Sequence, residues 1–158
     1  MDIANRFATP TVFRLLRLEY GVALMIMLGI FIAHLDEVRW GPAIILFAYI
    51  DVLGYIPSLF ARLKSGTIER GKIHYLLYNF MHSFVTQAAV VGLWTAVYGF
   101  EWALLVVPMH LCGDRAIFGN FIKSFHVPFE PRQLPTFTEF ERQVFDAAPP
   151  RPLTVGSP

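Results

Sequence analysis

Four long apolar runs, separated by short polar turns, set the pattern of this chain. They cover residues 11 to about 34, 40 to about 63, 73 to about 98 and 102 to about 122. A helix needs about 20 predominantly apolar residues to cross hydrocarbon, so each run predicts a transmembrane helix. The core of the first, residues 20–33, contains no charged residue at all. The connections at 35–39, 64–72 and 99–101 are short and polar, which predicts antiparallel neighbours. The expected fold is all-α, an integral-membrane antiparallel four-helix bundle. Pro42 falls in the first turn of its helix, where a missing N–H costs little. Pro57 predicts a kink or an end to regular helix in the second run, and Pro108 a distortion in the fourth.

The pattern changes after residue 123. Seven of the eleven prolines fall within residues 124–158, so the chain divides into a four-span domain (1–123) and a short, irregular, proline-rich tail (124–158). One stretch of the tail has helical order. Thr138-x-x-Glu141 has the form of a capping box, and Phe137, Phe140, Val144 and Phe145 follow helical spacing, predicting an amphipathic helix over 137–146. Glu139, Glu141 and Asp146 make it a poor basic lipid-binding helix. It suits the protein's own surface or a soluble partner.

Composition agrees with a bilayer. The 158 residues are 55% hydrophobic and 16% charged, with mean hydropathy +0.50; soluble domains run nearer 25% charged. The net charge of +1 offers no basic field for nucleic acid. The single cysteine, Cys112, excludes an intrachain disulfide and a cysteine-rich metal site, and reads as a small buried hydrophobe. The first apolar run lacks a small-residue cleavage pattern and reads as a retained anchor. Lysine and arginine gather on one side: Arg6, Arg14 and Arg17; Arg62, Lys64, Arg70 and Lys72; Arg115, Lys123 and Arg132. The other two turns share Arg39, while Trp40, Trp94, Tyr98 and Trp102 form an aromatic belt there. Both patterns predict a multi-pass protein of the inner (plasma) membrane with both termini cytoplasmic.

Polar residues inside the runs carry the candidate chemistry. At 1.5 Å per residue, Glu19 lies about 10 Å from the cytoplasmic end of its helix, Asp51 about 17 Å, His82 about 14 Å, Asp114 about 12 Å and His110 about 18 Å. Every run therefore brings an ionisable group to one slab in the inner half of the bilayer. His110 and Asp114, at i and i+4, share a helix face. Tyr75, Asn79, His82 and Thr86 follow a 4-3-4 spacing, with Tyr78 one turn below His82; Gly54 lets a helix or a ligand approach Asp51. Imidazole and carboxylate groups suit a divalent metal such as Zn, Fe or Mn. His82, His110 and Asp114 are the expected ligands, and Asp51 a fourth ligand or a general base. Glu19 is a supporting group or base, and Asn79 and Tyr78 hold a substrate oxygen. Structural roles compete at each position: Asp114 beside Arg115 as a neutralising pair, His82 and Asn79 as interhelical hydrogen-bond glue, and Glu19 paired with Arg14, Arg17 or Lys72. His34, His74 and His126 fall near span ends or in the tail.

Four segments occur in order, one per run: Leu15-Leu-Arg-Leu-Glu-Tyr20, Asp51-Val-Leu-Gly-Tyr55, Tyr78-Asn-Phe-Met-His82 and His110-Leu-Cys-Gly-Asp-Arg115. Together they resemble an uncharacterised bacterial family of small four-span membrane proteins, a domain of unknown function. The resemblance spans roughly residues 14–125. It implies a shared site at Glu19, Asp51, Gly54, Tyr55, Tyr78, Asn79, His82, His110, Asp114 and Arg115, without a named reaction. The family continues after Asp-Arg with a Gly-Tyr-Gly-Leu-Lys-like run, where this chain has Ala116-Ile-Phe-Gly-Asn-Phe-Ile-Lys123, and it carries a Thr-His element where this chain has His126-Val-Pro.

The resulting expectation is a membrane-embedded, metal-dependent hydrolase acting on an apolar or lipid-like substrate. A metal-independent acid–base isomerase or cyclase could use the same carboxylates. A non-catalytic membrane subunit or small transporter, and a bis-histidine haem subunit at His82 and His110, complete the alternatives.

Overall fold

The computed structural model describes residues 3–5, 8–66, 71–126, 128–130 and 132–146, with the backbone alone at 145 and 146. Arg6, Arg70, Val127, Pro131, the side chains of Phe145 and Asp146, and the prolines beyond 146 lie outside the described residues.

Every regular element among the described residues is helical. Helix α1 (Pro10–Ala33) starts where the Thr9 hydroxyl accepts the Val12 N–H and Pro10 takes the first helical position. A 3-10 turn (Leu35–Glu37) leads to α2 (Trp40–Gly54). Tyr55 separates α2 from α3 (Ile56–Ser65), which ends on Gly66 at φ +64°. Pro57 has no N–H to return to the preceding turn, which accounts for the break. The second expected run is thus one 26-residue apolar helix interrupted at its expected proline.

The third run departs from expectation. Instead of one span over 73–98 it forms α4 (Lys72–Met81) and α5 (Phe84–Tyr98), bent by 51°. Ser83 is the local cause, because its hydroxyl accepts the Val85 N–H and so starts a new helix. The fourth run is a composite. A 3-10 turn (Trp102–Leu105) feeds α6 (Val106–Gly113), then a π-helical turn (Asp114–Phe118), closed by Gly119 at φ +69°. It ends four residues before the expected 122. The wide π turn leaves carbonyls at Ala116 and Ile117 that Arg17 of α1 satisfies, both at 2.8 Å.

By length and composition, α1 and residues 40–65 can each cross a membrane, and the bent α4–α5 pair makes up to three. Among the described residues the fold is therefore all-helical, with two or three helices long and apolar enough to cross a membrane, a coarser result than the expected four-helix bundle. The distribution of apolar surface points the same way. In α1 only Phe31 is buried, while Val12, Leu15, Leu18, Val22, Met25 and Ile26 are exposed. Contiguous apolar surface of that extent fits hydrocarbon rather than water. Helix α6 is the opposite: it packs against α1, α2 and α5 and buries Val106, Val107, His110, Leu111 and Cys112. At the end bearing the expected aromatic belt, the Trp102 ring stacks on His34 (3.6 Å between centroids) and its Nε1 donates to Glu37 (3.2 Å). Arg39 pairs with Glu101 there at 3.3 Å.

The packed unit continues past residue 123. Phe129 is buried against Tyr75 and Tyr78, Glu130 pairs with Arg62 at 2.6 Å, and Asn5 holds the Arg132 carbonyl and the Leu134 N–H. The described residues between 119 and 134 thus form an irregular strap across α4. Helix α7 (Pro135–Glu141) begins three residues before Thr138, because Pro135 takes the first turn. The expected capping box is not made: the Thr138 hydroxyl donates to the Leu134 carbonyl at 3.3 Å.

Candidate metal centre

Three elements deliver the site. The buried face of α2 (Ala43, Leu46, Ile50 and Gly54) packs on α4 and α6, with Asp51 flanking it. Gly54 is the point of closest approach. A Cβ there would lie 2.8 Å from Met81 Cβ and 3.0 Å from His82 Cε1, so only glycine lets the end of α4 come so near. Helix α6 contributes His110, and Asp114 opens the π turn one helical turn later.

His82 sits at the break between α4 and α5, where the last carbonyls of α4 lose their helical partners. Buried backbone groups of this kind need substitutes. The Tyr78 carbonyl accepts from His82 Nδ1 (3.0 Å) as well as from its backbone N–H. The Met81 carbonyl accepts from Gln87 Nε2 (2.6 Å), and the Gln87 Oε1 in turn accepts from the Tyr49 hydroxyl. The His82 carbonyl accepts from Arg115 (3.2 Å). A proton on Nδ1 fixes the His82 tautomer and leaves the Nε2 lone pair facing the site, the arrangement a metal-binding imidazole needs.

Four ligand atoms converge. His82 Nε2 lies 3.1 Å from Asp114 Oδ2 and 3.3 Å from Asp51 Oδ1. His110 Nε2 lies 3.7 Å from Asp51 Oδ2 and 3.8 Å from Asp114 Oδ2. Ligand atoms from all four residues fall within 4.8 Å of one another. Both histidines are buried, and neither Nε2 has a hydrogen-bond partner; the His82 approaches have the length of hydrogen bonds but not their direction, and the His110 approaches are longer than hydrogen bonds. Two carboxylates facing two imidazole lone pairs repel unless a cation or protons lie between them. A tetrahedral ion with bonds of about 2.0–2.1 Å spaces its ligands about 3.3–3.4 Å apart; the two His82 separations are close to that, and the two His110 separations are a few tenths of an ångström wider. The cluster can hold a metal ion, and its donors do not fix which. Its side chains leave one open flank: Asp51 is 44% exposed, against 16% for Asp114 and 4–5% for the histidines. A porphyrin does not suit this arrangement, since carboxylate oxygens occupy the space between the two imidazoles.

The other expected residues separate. Tyr78 is buried, its ring stacks on His82 (3.9 Å, 12°), and its hydroxyl has no hydrogen-bond partner. Asn79 does not face the cluster with a free amide. Both ends of that amide clamp the Lys123 backbone, donating to its carbonyl (2.8 Å) and accepting its N–H (2.7 Å). Glu19 is exposed on α1, and the structure does not bring it to the cluster. Neighbouring α1 residues face the π turn instead, with Gly21 beside Ala116.

Arg115 plays a larger part than neutralising Asp114. It is buried, donates to the Tyr20 hydroxyl (2.9 Å) and the His82 carbonyl, and lies over the Phe84 and Tyr20 rings at 4.4 and 4.8 Å. Lys123, Gln87 and Phe129 had no place in the expected site. A lone lysine within Phe121-Ile-Lys-Ser-Phe125 was the one signal available for the strap.

No protein-family model matches this chain, and comparison with curated proteins and with solved structures found no significant match.

Proposed function

We propose that this chain is a membrane-embedded, metal-dependent enzyme, a hydrolase acting on an apolar or lipid-like substrate in the inner half of the bilayer. The observation that carries the proposal is the convergence of two buried, unpartnered imidazole nitrogens and two carboxylates inside an otherwise apolar helical protein. Ionisable groups are expensive at that depth and mark function by default. In this reading His82, His110 and Asp114 hold the ion. Asp51, on the open flank, is the fourth ligand or the base that takes a proton from water. The Tyr78 hydroxyl meets a substrate oxygen. A divalent ion such as Zn, Fe or Mn supplies Lewis acidity to an ester, amide or phosphoester oxygen and makes water acidic enough to react near neutral pH. Arg115 and Gln87 keep the broken helix, and with it His82, in place. Asn79 serves the strap, and Glu19 stands apart from the chemistry.

The proposed topology has four spans, with residues 102–118 as the fourth, and both termini on the cytoplasmic side of the plasma membrane. The one-sided distribution of lysine and arginine supports it. The proposal includes membership of the four-span family whose motifs the chain carries.

A metal-independent acid–base isomerase or cyclase is the second reading. It draws on the 3.1 Å approach of His82 Nε2 to Asp114, a distance at which a shared proton could replace the ion. Turnover in nanodiscs separates the two. Ester, amide and phosphate lipids are offered to metal-loaded protein, to chelated protein, and to chelated protein after Zn, Mn or Fe is returned. The metal reading predicts product that disappears on chelation and returns with metal. Turnover that survives complete metal removal replaces it with acid–base chemistry, and no turnover of any class by metal-loaded protein contradicts the hydrolase.

A further inference from the structure

We infer that an oxyanion site formed by Arg115, Lys123 and Tyr78 adjoins the metal centre, and that the molecule it receives carries a phosphate group.

The inference starts from polar groups that the metal centre leaves over. Arg115 is buried in the core, and Lys123, part of the strap itself, is half-buried with its ammonium over the Tyr78 and Phe129 rings at 5.1 and 5.3 Å. Buried cations are normally paired with carboxylates. Among the described residues, neither has a carboxylate oxygen within ion-pairing distance. The carboxylates of Asp51 and Asp114 face the imidazoles, and Glu130 is taken by Arg62. Arg115 spends two of its donors on the Tyr20 hydroxyl and the His82 carbonyl, and Lys123 has one long hydrogen bond, 3.3 Å to Asn120 Oδ1. The Tyr78 hydroxyl is a further donor, buried and without a hydrogen-bond partner.

These three groups lie beside the cluster. The Tyr78 ring is stacked on His82, Arg115 follows Asp114 in the chain and is bonded to the His82 carbonyl, and the Lys123 ammonium lies over the Tyr78 ring. Charge then selects the ligand, a step that rests on the metal-centre reading. Two carboxylates balance a divalent ion, which leaves the buried Arg115, the half-buried Lys123 and a phenol to be matched. A phosphate monoester matches both: it brings close to two negative charges at neutral pH and several acceptor oxygens. Neutral esters and amides bring acceptor oxygens but no negative charge. Asn79 becomes a positioning residue, because its clamp on the Lys123 backbone holds the strap where the ammonium meets the Tyr78 ring.

The test is titration of detergent-purified protein, metal-loaded and chelated, with three probes: dioleoyl phosphatidic acid, dioleoylglycerol and inorganic phosphate. Binding is read by native mass spectrometry and metal content is measured alongside. Phosphatidic acid is expected to bind where dioleoylglycerol does not. Lys123→Met and Tyr78→Phe are each expected to weaken it about tenfold, the loss of one charge-assisted or buried hydrogen bond, without loss of metal. Tyr78→Phe keeps the ring stack on His82, so it remains informative if Lys123→Met fails to fold. Competition by inorganic phosphate at similar concentration assigns the site to soluble phosphate compounds; its failure to compete assigns it to a lipid headgroup. Equal binding of the two lipids, or phosphatidic acid binding unchanged in both folded variants, overturns the inference. Phosphate binding by a protein that takes up no metal supports the anion site while removing the metal centre, so the two failures are told apart.

Discussion

Gly54→Ala adds one methyl group, and the structure says where it goes. The new Cβ would stand 2.8 Å from Met81 Cβ, about 0.6 Å short of ordinary contact, which begins near 3.4 Å; His82 Cε1 and Nδ1 lie at 3.0 and 3.1 Å. A Cβ cannot rotate away, so the end of α4 must retreat from α2 and take His82 with it. His82 Nε2 is 3.3 Å from Asp51 and 3.1 Å from Asp114, and a displacement of a few tenths of an ångström spoils a four-ligand site. Overpacking of this kind costs about 1–3 kcal/mol of stability. Disturbing a group that orients a ligand costs about 10–100-fold in metal affinity, or roughly 1.4–2.7 kcal/mol. The assay is a chelator competition for metal affinity, with thermal unfolding in detergent beside it. Gly92→Ala in α5 is the control, since a Cβ there meets nothing within 4 Å; it is expected to leave affinity unchanged and to be neutral or up to about 1 kcal/mol stabilising. Equal metal affinity and equal unfolding temperature for Gly54→Ala and wild type would refute the close approach of α2 to His82.

Three further outcomes follow from the same geometry. Asn79→Ala leaves the Lys123 N–H and carbonyl without their partners and should cost about 1–3 kcal/mol, seen as faster proteolysis within residues 119–134 than in wild type. Arg115→Lys keeps the charge but loses the fork that reaches both the Tyr20 hydroxyl and the His82 carbonyl; it should lower the unfolding temperature and weaken metal binding together. Hydrogen bonds from His34 and Trp102 hold the exposed Glu37 carboxyl below its usual 4.5. A depressed folded value means the contact contributes fully above about pH 4.5 and is lost as pH falls through the lower folded value, so Trp102 emission should titrate in that acid range and fail to do so in Glu37→Gln.

Much of the fold was legible because hydrocarbon imposes a coarse rule on sequence. Apolar length predicted α1 to within a residue at each end, and Pro57 marked the α2–α3 break. The break at His82–Ser83 was not legible, because Ser83 is an ordinary polar residue until its hydroxyl caps α5 and Gln87 and Arg115 take up the freed carbonyls. Nothing in the apolar pattern distinguishes a π turn at Asp114–Phe118 from continued helix. The polar slab was readable from depth alone, and the structure draws Asp51, His82, His110 and Asp114 together from it. Depth could not supply rotation about the helix axis, so Glu19 lay in the expected slab while facing outward. Asn79 kept its expected helix face, but its partner is backbone from the strap, a region whose prolines suggested a loose tail.

Metal content by mass spectrometry, on protein purified in detergent and offered Zn, Mn and Fe, bears most directly on the metal centre. Wild type should carry about one ion per chain, and His110→Ala and Asp114→Ala should each lose it while remaining folded. Wild type that takes up none of the three, or both variants holding as much as wild type, would contradict a metal centre at Asp51, His82, His110 and Asp114.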